Sequence, residues 1–333
     1  MKIGKIGERA LINEIAALVA KTADKQSLGI GDDAALTKVS TDCWLVTSKD
    51  MLVQGVHFLL PEITAQDLGY KALAVNLSDL AAMGAKPRHA YVALALPPET
   101  ETEFVLSFYQ GMLELAEPFS VSISGGDLVA SPGPVIVSIT VQGEVPSKQA
   151  LLRSGASAGD IICTTGPLGA SAAGLLLLTH KIDCPPAVRA AALQAHHRPE
   201  PRIKEAIWLA ESGVVTSAID LSDGLLKDIR EILEHSRCGA LLEAEKIPLH
   251  PAAAEVGAAM GKPALELALN GGEDYELLCT VRAADFLELA KAYEARFSQP
   301  LYALGRISAE SELKMITKEG KGEKIEFTGF QHF

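Results

Sequence analysis

Acidic residues stand beside glycine at several predicted turns of the chain. A lone Asp-Gly pair is typical of a plain turn, but a set of such pairs, several at the ends of predicted strands, indicates a shared site. Carboxylate oxygens without His or Cys clusters select Mg²⁺ or Ca²⁺ over zinc. Since Mg²⁺ held by carboxylates most often carries a nucleotide phosphate, the predicted chemistry is phosphate chemistry at a metal site. The turns are Gly31-Asp32-Asp33, Lys49-Asp50, Gly125-Gly126-Asp127, Asp220-Leu221-Ser222-Asp223-Gly224 and Gly271-Gly272-Glu273-Asp274.

A further carboxylate, Asp79, lies inside the apolar segment AVNLSDLAAM, which reads as the interior of a helix. Aspartate lowers helix propensity, and a buried carboxylate is costly unless it is paired or bound to a metal. We therefore group Asp79 with the turn carboxylates as a candidate metal ligand.

The residues that could bind a phosphate form less specific patterns than the acidic turns do. The segment from Gly166 to Ser171 follows a predicted strand and opens a helix, so its amides either cradle a phosphate or form a tight turn. Arg153 and Arg202 are either bidentate phosphate ligands or surface arginines. No phosphate-binding loop of the G-x-x-x-x-G-K-[ST] type occurs, and no protein-kinase motif.

Three further positions could face an organic substrate. His57 follows the Asp50 strand, so it either lines the same cleft or lies outside it. The His196-His197 pair reads as loop structure, because no nearby residue completes a metal site. Phe327 is either a core residue or a ring that closes over a heterocycle.

Composition, charge and cysteine count argue against several classes of protein. The 333 residues are 48% hydrophobic and 22% charged, which predicts a folded chain of about two domains, and the net charge of -12 argues against nucleic-acid binding. Five cysteines without a C-x-x-C pair favour free thiols in a reducing compartment. The N-terminal residues lack a signal-peptide core, and the longest apolar run is too short for a bilayer. We therefore expect a cytoplasmic protein without a membrane or nucleic-acid partner.

Predicted strands and helices alternate without a regular βαβ rhythm, so the expected fold is α+β (mixed α/β). A small, polar stretch at 146–160 suggests a boundary between two domains, residues 1–148 and 149–333. The predicted helices are 10–20, 65–83, 99–117, 169–179 and 283–296, and a short strand enters a helix within 218–235. The predicted strands are 44–53, 89–96, 120–127, 135–145, 160–166, 275–281 and 301–307.

Ten ordered blocks of the sequence resemble the thiamine-monophosphate kinase family, within the wider aminoimidazole ribonucleotide synthetase-like superfamily. The resemblance implies an N-terminal ATP- and Mg²⁺-binding domain that dimerises through its sheet, a C-terminal α/β domain, and an active site between them. The blocks are GIGDDAAL, SKDMLVQGVHF, GYKALAVNLSDLAAMGAKPR, GGD, RSGASAGD, TGPLGASAAGL, HHRPEPR, AIDLSDGL, GGEDYELL and GFQHF.

The resemblance also implies roles for particular residues. Thiamine monophosphate would contact His57, Glu273 and Phe327, the last by stacking, and no side chain would act as a catalytic acid or base. ATP would contact Gly126, Asp127, Arg153 and Ser222. Several Mg²⁺ ions would be held by Asp33, Asp50, Asp79, Asp127, Asp220 and Asp223, with Ser48 as a weaker ligand.

The chain departs from the family pattern at two of these blocks. Lys49 and Met51 flank Asp50 where the family usually has threonines, and Leu128 replaces a threonine after Asp127. Lys49 could alter a metal site. We retain two alternatives to a homodimeric kinase that converts thiamine monophosphate and ATP into thiamine diphosphate and ADP: a related ATP-dependent synthetase acting on a ribonucleotide, and a non-catalytic thiamine-phosphate sensor.

Overall fold

The computed structural model describes residues 5, 7–20, 27–317 and 322–325. The helices are α1 (Glu8–Val19), α2 (Ala65–Ala82), α3 (Thr102–Phe119), α4 (Ala170–Thr179), α5 (Pro186–His197), α6 (Ile203–Ser212), α7 (Leu225–Ser236), α8 (Pro251–Ala259), α9 (Ala264–Asn270) and α10 (Phe286–Phe297). The strands are β1 (Ala35–Lys38), β2 (Cys43–Val53), β3 (Lys86–Leu96), β4 (Ser122–Ala130), β5 (Ile136–Pro146), β6 (Ile161–Thr164), β7 (Val215–Asp220), β8 (Gly239–Glu243), β9 (Leu277–Val281), β10 (Tyr302–Ser308), β11 (Leu313–Ile316) and β12 (Gly322–Lys324). No helix among these described residues is both long and apolar enough to cross a membrane.

The strands form two sheets, one in each half of the chain. The first has the order β1-β2-β5-β3-β4, and the second β12-β11-β8-β10-β6-β9-β7. Pairs in the first sheet are antiparallel except β3 with β4, which are parallel. This two-domain mixture of helices and sheets confirms the expected mixed α/β class. The boundary between residues 148 and 149 lies in the connection between the sheets and stays a prediction.

Helix α2 is the element that joins the two halves. Its N-terminus is capped by Thr64, whose side chain accepts a hydrogen bond from the Asp67 amide, and Gly84 follows its C-terminus with a φ of 68°. The helix packs against β2, β5 and α3 of the N-terminal half and against α6 and β7 of the C-terminal half. A helix that is apolar nearly all round is expected to lie inside a protein. Three of its polar residues, Lys71, Asn76 and Ser78, are fully buried in this position.

Candidate functional site

A cavity of about 760 Å³ is lined by residues from both halves of the chain. The N-terminal half contributes Asp50, His57 and Asp79, and the C-terminal half contributes Asp220, Ser222, Asp223 and Glu273. The structure therefore brings four of the six predicted metal-binding aspartates to one cavity, together with two of the three substrate-binding residues that the resemblance implied. The third, Phe327, lies outside the described residues.

Three of the predicted metal ligands form a cluster. Asp33, Asp79 and Asp220 each offer a carboxylate oxygen within 4.8 Å of the other two. Asp33 precedes β1, Asp79 lies in α2 and Asp220 ends β7, so three distant segments meet at this point. The Oδ2 atom of Asp33 is buried and has no hydrogen-bond partner among the described residues. A buried, unpaired acceptor beside two other carboxylates is a ready site for a cation.

Burial and mutual repulsion raise the pKa values of this cluster. The pKa of Asp220 is raised to about 8, first by burial and then by the charge of Asp33. Burial also raises the pKa of Asp79 well above its ordinary value, and Asp50, Asp220 and Asp33 add to the effect. The pKa of Asp50 rises to about 6 through burial and the charge of Asp223. These carboxylates therefore need a positive charge in order to ionise together.

Polar residues of α2 and β2 orient the cluster. Ser48 donates a hydrogen bond to Asp79 Oδ2, and Ser78 donates one to Asp220 Oδ2 at 2.6 Å. The Asn76 Oδ1 atom accepts the Asp50 amide at 3.0 Å. Ser48 thus lies in direct contact with the cluster, as its predicted role as a weaker ligand requires.

Strand alternation places Lys49 away from the cluster. Ser48 and Asp50 face α2, whereas Lys49 between them is exposed. Because neighbouring residues of a strand point to opposite faces, Lys49 lies on the outer face of the first sheet. The departure from the family pattern at Lys49 therefore leaves the carboxylate cluster intact.

The predicted ligand Asp127 also lies apart from the cluster. It is exposed on β4 and pairs with Ala93, an outward-facing position between two buried residues of β3. Its Oδ1 atom accepts the Leu128 amide at 2.9 Å. At the neighbouring Gly126, a Cβ atom would lie 1.8 Å from the Val92 carbonyl oxygen, so strand packing alone demands glycine there. The ligand and ATP roles of Asp127 and Gly126 stay predictions.

The loop between β7 and α7 is held by the helix that follows it. Asp228 of α7 accepts hydrogen bonds from the amides of Asp223 and Gly224 at 3.1 and 3.0 Å. Gly224 has a φ of 114°, and a Cβ there would lie 3.0 Å from the Asn270 carbonyl carbon. Lys227 Nζ lies 2.6 Å from Asp223 Oδ2. The loop thus presents Asp223 and Ser222 to the cavity from a rigid base.

Glu273 and Asp274 of the GGEDYE segment are neighbours in sequence but have different environments. Glu273 lines the cavity, whereas Asp274 accepts the amides of Gly169 and Ser171 at 2.7 and 3.3 Å. Asp274 therefore occupies the N-terminus of α4, with its pKa raised to about 7 by burial. Of the two interpretations of the segment from Gly166 to Ser171, the structure favours the tight turn, because Asp274 already accepts two of its amides.

The two candidate arginines differ in their surroundings. Arg202 forms a bidentate pair with Glu276, with Nε–Oε2 at 2.8 Å and Nη2–Oε1 at 2.5 Å, and both side chains are largely buried. It is neither a phosphate ligand nor a surface residue, so both interpretations of the sequence are wrong. Arg153 Nη2 lies 2.6 Å from Asp33 Oδ1, beside the cluster. Its predicted contact with ATP stays a prediction.

Sequence reasoning missed two residues that hold Glu273. Lys71 Nζ and His196 Nδ1 lie 3.0 and 3.2 Å from Glu273 Oε2. His196 belongs to α5 rather than to a loop, so the expectation of loop structure for the His196-His197 pair is wrong. The available signal was a charged Lys71 inside the same apolar helix that contains Asp79.

Known proteins share this architecture. The model of the N-terminal domain of AIR synthase related protein matches residues 31–145, and that of its C-terminal domain matches residues 157–318. Thiamine-monophosphate kinase of Escherichia coli (strain K12) is 38% identical over 328 residues, which cover 98% of each chain. The chain belongs to the thiamine-monophosphate kinase family.

Solved structures of similar proteins have the same fold over nearly the whole chain. AaThiL complexed with AMPPCP and TMP has a TM-score of 0.86 and 30% identity, covering 100% of this chain and 99% of that one. Thiamine-monophosphate kinase from Stenotrophomonas maltophilia K279a has a TM-score of 0.77 and 35% identity, covering 94% of this chain and 96% of the other. The resemblance in sequence therefore extends to the whole fold.

Proposed function

We propose that this chain transfers the γ-phosphoryl group of ATP to thiamine monophosphate, giving thiamine diphosphate and ADP. The observation that carries the proposal is a single cavity that joins the Asp33–Asp79–Asp220 cluster to Glu273 and His57. One end offers carboxylates for a metal-bound phosphate, and the other offers groups that can hold an organic ring. Family membership identifies that ring as thiamine.

The residues present fit Mg²⁺. The donors are hard carboxylate oxygens, and the Asp33 Oδ2 atom is buried without a partner among the described residues. Asp33, Asp79 and Asp220 would form the centre of the site, with Asp50, Asp223 and Ser48 beside it. When bound, Mg²⁺ supplies charge neutralisation for the phosphates of both substrates. The participation of Asp127 and the presence of several ions are also proposed, on the family resemblance alone.

Without divalent cations, the protein is expected to lose stability as the pH rises from 7 to 9. The folded-state pKa of Asp220 is about 8 and that of Asp79 is also raised, so folded protein retains protons that unfolded protein has released. Their stabilising effect is complete below the unfolded pKa and is lost as the pH passes the folded pKa. At about 1.4 kcal/mol per pH unit for a fully protonated carboxyl, Asp220 alone loses about 1.4 kcal/mol over this interval, and Asp79 adds to the loss.

Urea unfolding in EDTA at pH 7, 8 and 9 measures this loss, and the same titration in saturating Mg²⁺ should largely abolish it. The Asp79→Asn variant provides the comparison, because it should show a shallower pH dependence in EDTA than the wild type. A stability in EDTA that is flat or rising between pH 7 and 9 would contradict the ionisation assigned to the cluster.

The reaction we propose is a direct transfer. Thiamine monophosphate already carries a phosphate with a second pKa of about 6, so its oxygen is an anion that needs little help from a base. That oxygen forms a bond to the γ-phosphorus of ATP, while the bond between this phosphorus and the β–γ bridging oxygen breaks and ADP leaves. The capture of a labelled phosphoprotein during turnover would overturn this mechanism.

The proposed substrate contacts follow the two ends of the cavity. Ser222 and Arg153, with Gly126, would bind ATP, and His57 and Glu273, with Phe327, would bind thiamine monophosphate. His57 Nδ1 accepts the Val53 amide at 3.0 Å, so the neutral ring carries its proton on Nε2. His57 can therefore donate a hydrogen bond to the substrate from Nε2.

An assay with ATP, Mg²⁺ and thiamine monophosphate tests the function. Equal amounts of ADP and thiamine diphosphate, measured by chromatography, are expected to appear together. Tight binding of thiamine monophosphate without ADP release would instead support the sensor, and ADP release only with a ribonucleotide would support the synthetase. Lys49 lies on the outer face of the first sheet and not in the Asp33–Asp79–Asp220 cluster, so this assay and not its position decides between the kinase and the sensor.

We also propose that the chain forms a homodimer through the first sheet, in the cytoplasm. The outer face and edge of this sheet expose Met51, Val129 and Leu128 at 54%, 50% and 63%, an apolar surface that a second copy could cover. Light scattering should give about twice the 35.2 kDa chain mass for the wild type and a monomer for Val129→Lys. Leu287→Lys, on exposed α10, should remain dimeric. A monomeric wild type contradicts the proposal.

A further inference from the structure

Glu273 is held in an unusual backbone conformation. Its φ is 64°, in the left-handed region that non-glycine residues seldom adopt, and Tyr275 nearby has a φ of 51°. The Glu273 amide donates to the Ser222 carbonyl at 2.8 Å, and the Tyr275 amide donates to the Leu221 carbonyl at 2.9 Å. Such conformations persist where the surrounding structure enforces them, commonly at functional sites. The loop is thus built to aim the Glu273 side chain.

Side chains from both halves of the chain lie beside the Glu273 carboxylate, and Lys71 donates a hydrogen bond to it. Lys71, which is fully buried in α2, places Nζ 3.0 Å from Oε2, and His196 of α5 places Nδ1 3.2 Å from the same oxygen. Ser171 Oγ lies 2.9 Å from His196 Nδ1 and fixes that ring. Both contacts are to Oε2, which leaves Oε1 for a ligand.

Of Lys71 and His196, it is Lys71 that carries a positive charge. Burial, the Lys71 charge and His197 lower the pKa of His196 to about 2, so His196 is neutral. Among the described residues, Lys71 is then the one permanent cation within ion-pair distance of Glu273. Burying a charged lysine in an apolar helix costs folding free energy unless an opposite charge lies beside it. Its placement is therefore explained by Glu273.

One face of α2 carries both the lysine and a cluster carboxylate. Lys71, Val75 and Asp79 are spaced by four residues, so they lie on the same side of the helix. Val75 and Asp79 line the cavity, and Lys71 contacts Glu273 at its other end. Eight residues of α helix correspond to a rise of about 12 Å. The helix therefore sets the distance between the metal-binding and ring-binding ends of the site.

We propose that Lys71 is a positioning residue that holds the Glu273 carboxylate toward thiamine monophosphate at a distance set by α2. This inference rests on the proposed function. In this proposal the other Glu273 oxygen, Oε1, accepts a hydrogen bond from the amino group on the pyrimidine ring of the substrate. Lys71 does not line the cavity and lies about two helical turns from Asp79, so it should govern the affinity for the thiamine end and not that for ATP.

The variant Lys71→Met tests this role, since methionine retains an unbranched side chain and removes the charge. We expect KM for thiamine monophosphate to rise about tenfold or more, the loss of one charge-assisted hydrogen bond, and KM for ATP to stay within about twofold. Calorimetric binding of thiamine monophosphate should weaken to the same degree. Lys246→Met is the control, because Lys246 forms an exposed pair with Glu243 at 2.8 Å.

A double-mutant cycle separates positioning from a general structural role. If Lys71 acts through Glu273, Lys71→Met should add less than about twofold to the KM effect of Glu273→Gln. Additive effects, or equal rises in KM for both substrates, would overturn the proposal. If Lys71→Met alone does not fold, the double variant, which lacks both charges, decides by the same comparison with Glu273→Gln. Failure of the wild type to form thiamine diphosphate would instead refute the proposed function.

Discussion

Asp79→Asn is expected to lower kcat by about 1,000-fold or more while the fold stays intact. Asparagine preserves the shape of Asp79 and can still accept the Ser48 hydrogen bond, but it removes one charge from the cluster. A metal held by the remaining carboxylates is misplaced, and a thousandfold corresponds to about 4 kcal/mol of transition-state stabilisation. Steady-state kinetics with saturating ATP, Mg²⁺ and thiamine monophosphate measure the change.

Unfolding experiments on the same variant provide an independent test. Because burial and three neighbouring carboxylates raise the pKa of Asp79, the neutral side chain should leave the metal-free protein as stable as the wild type, or more so. Asp42→Asn, an exposed substitution in the turn before β2, is the control for kcat. Retention of more than about a tenth of kcat by Asp79→Asn would contradict a central role in metal binding.

Arg202→Met is expected to destabilise the protein by about 3–5 kcal/mol, because it leaves the Glu276 carboxylate buried without its partner. Only 5% of the Glu276 side chain is exposed, and Thr165 donates its one other side-chain hydrogen bond among the described residues. Urea denaturation measures the loss. Activity below the melting temperature should be retained with KM for ATP unchanged, because Arg202 is not a phosphate ligand.

Two further variants test the Arg202 result. The Arg202→Met/Glu276→Gln double variant should recover part of the stability, since it removes the uncompensated charge. Arg282→Met, which breaks an exposed pair with Asp285, should cost at most about 1 kcal/mol. A large rise in KM for ATP without loss of stability in Arg202→Met would restore the phosphate-binding interpretation.

The elements nearest the site could be predicted well from local patterns. The predicted helix 65–83 and strand 44–53 are observed as Ala65–Ala82 and Cys43–Val53. The apolar residues around Asp79 were also enough to single it out as a candidate metal ligand. The same reasoning overlooked Lys71, eight residues earlier on the same helix, although a buried lysine needs a partner as much as a buried aspartate does.

Strand order could not be predicted in the same way. The Gly/Pro-rich turn after Ala130 links β4 directly to β5, yet β3 lies between them and pairs with both. A short turn shows that two strands are neighbours in the sequence, but it does not determine whether they pair with each other in the sheet. Because the register with β3 determines which residues face outward, it also separates Asp127 from Asp50.

The sequence by itself determined the chemistry available to this protein: hard oxygen ligands at turns, a buried acid in an apolar helix, and a family pattern that runs through both halves. These features are set by residue type and by neighbours a few positions away. Only the tertiary structure decided which acid meets which partner. Glu273 faces the cavity, Asp274 caps α4 and Glu276 pairs with Arg202, although the three lie within four positions. Their side chains find partners 70 or more residues away, so tertiary packing and not the local sequence assigns the roles.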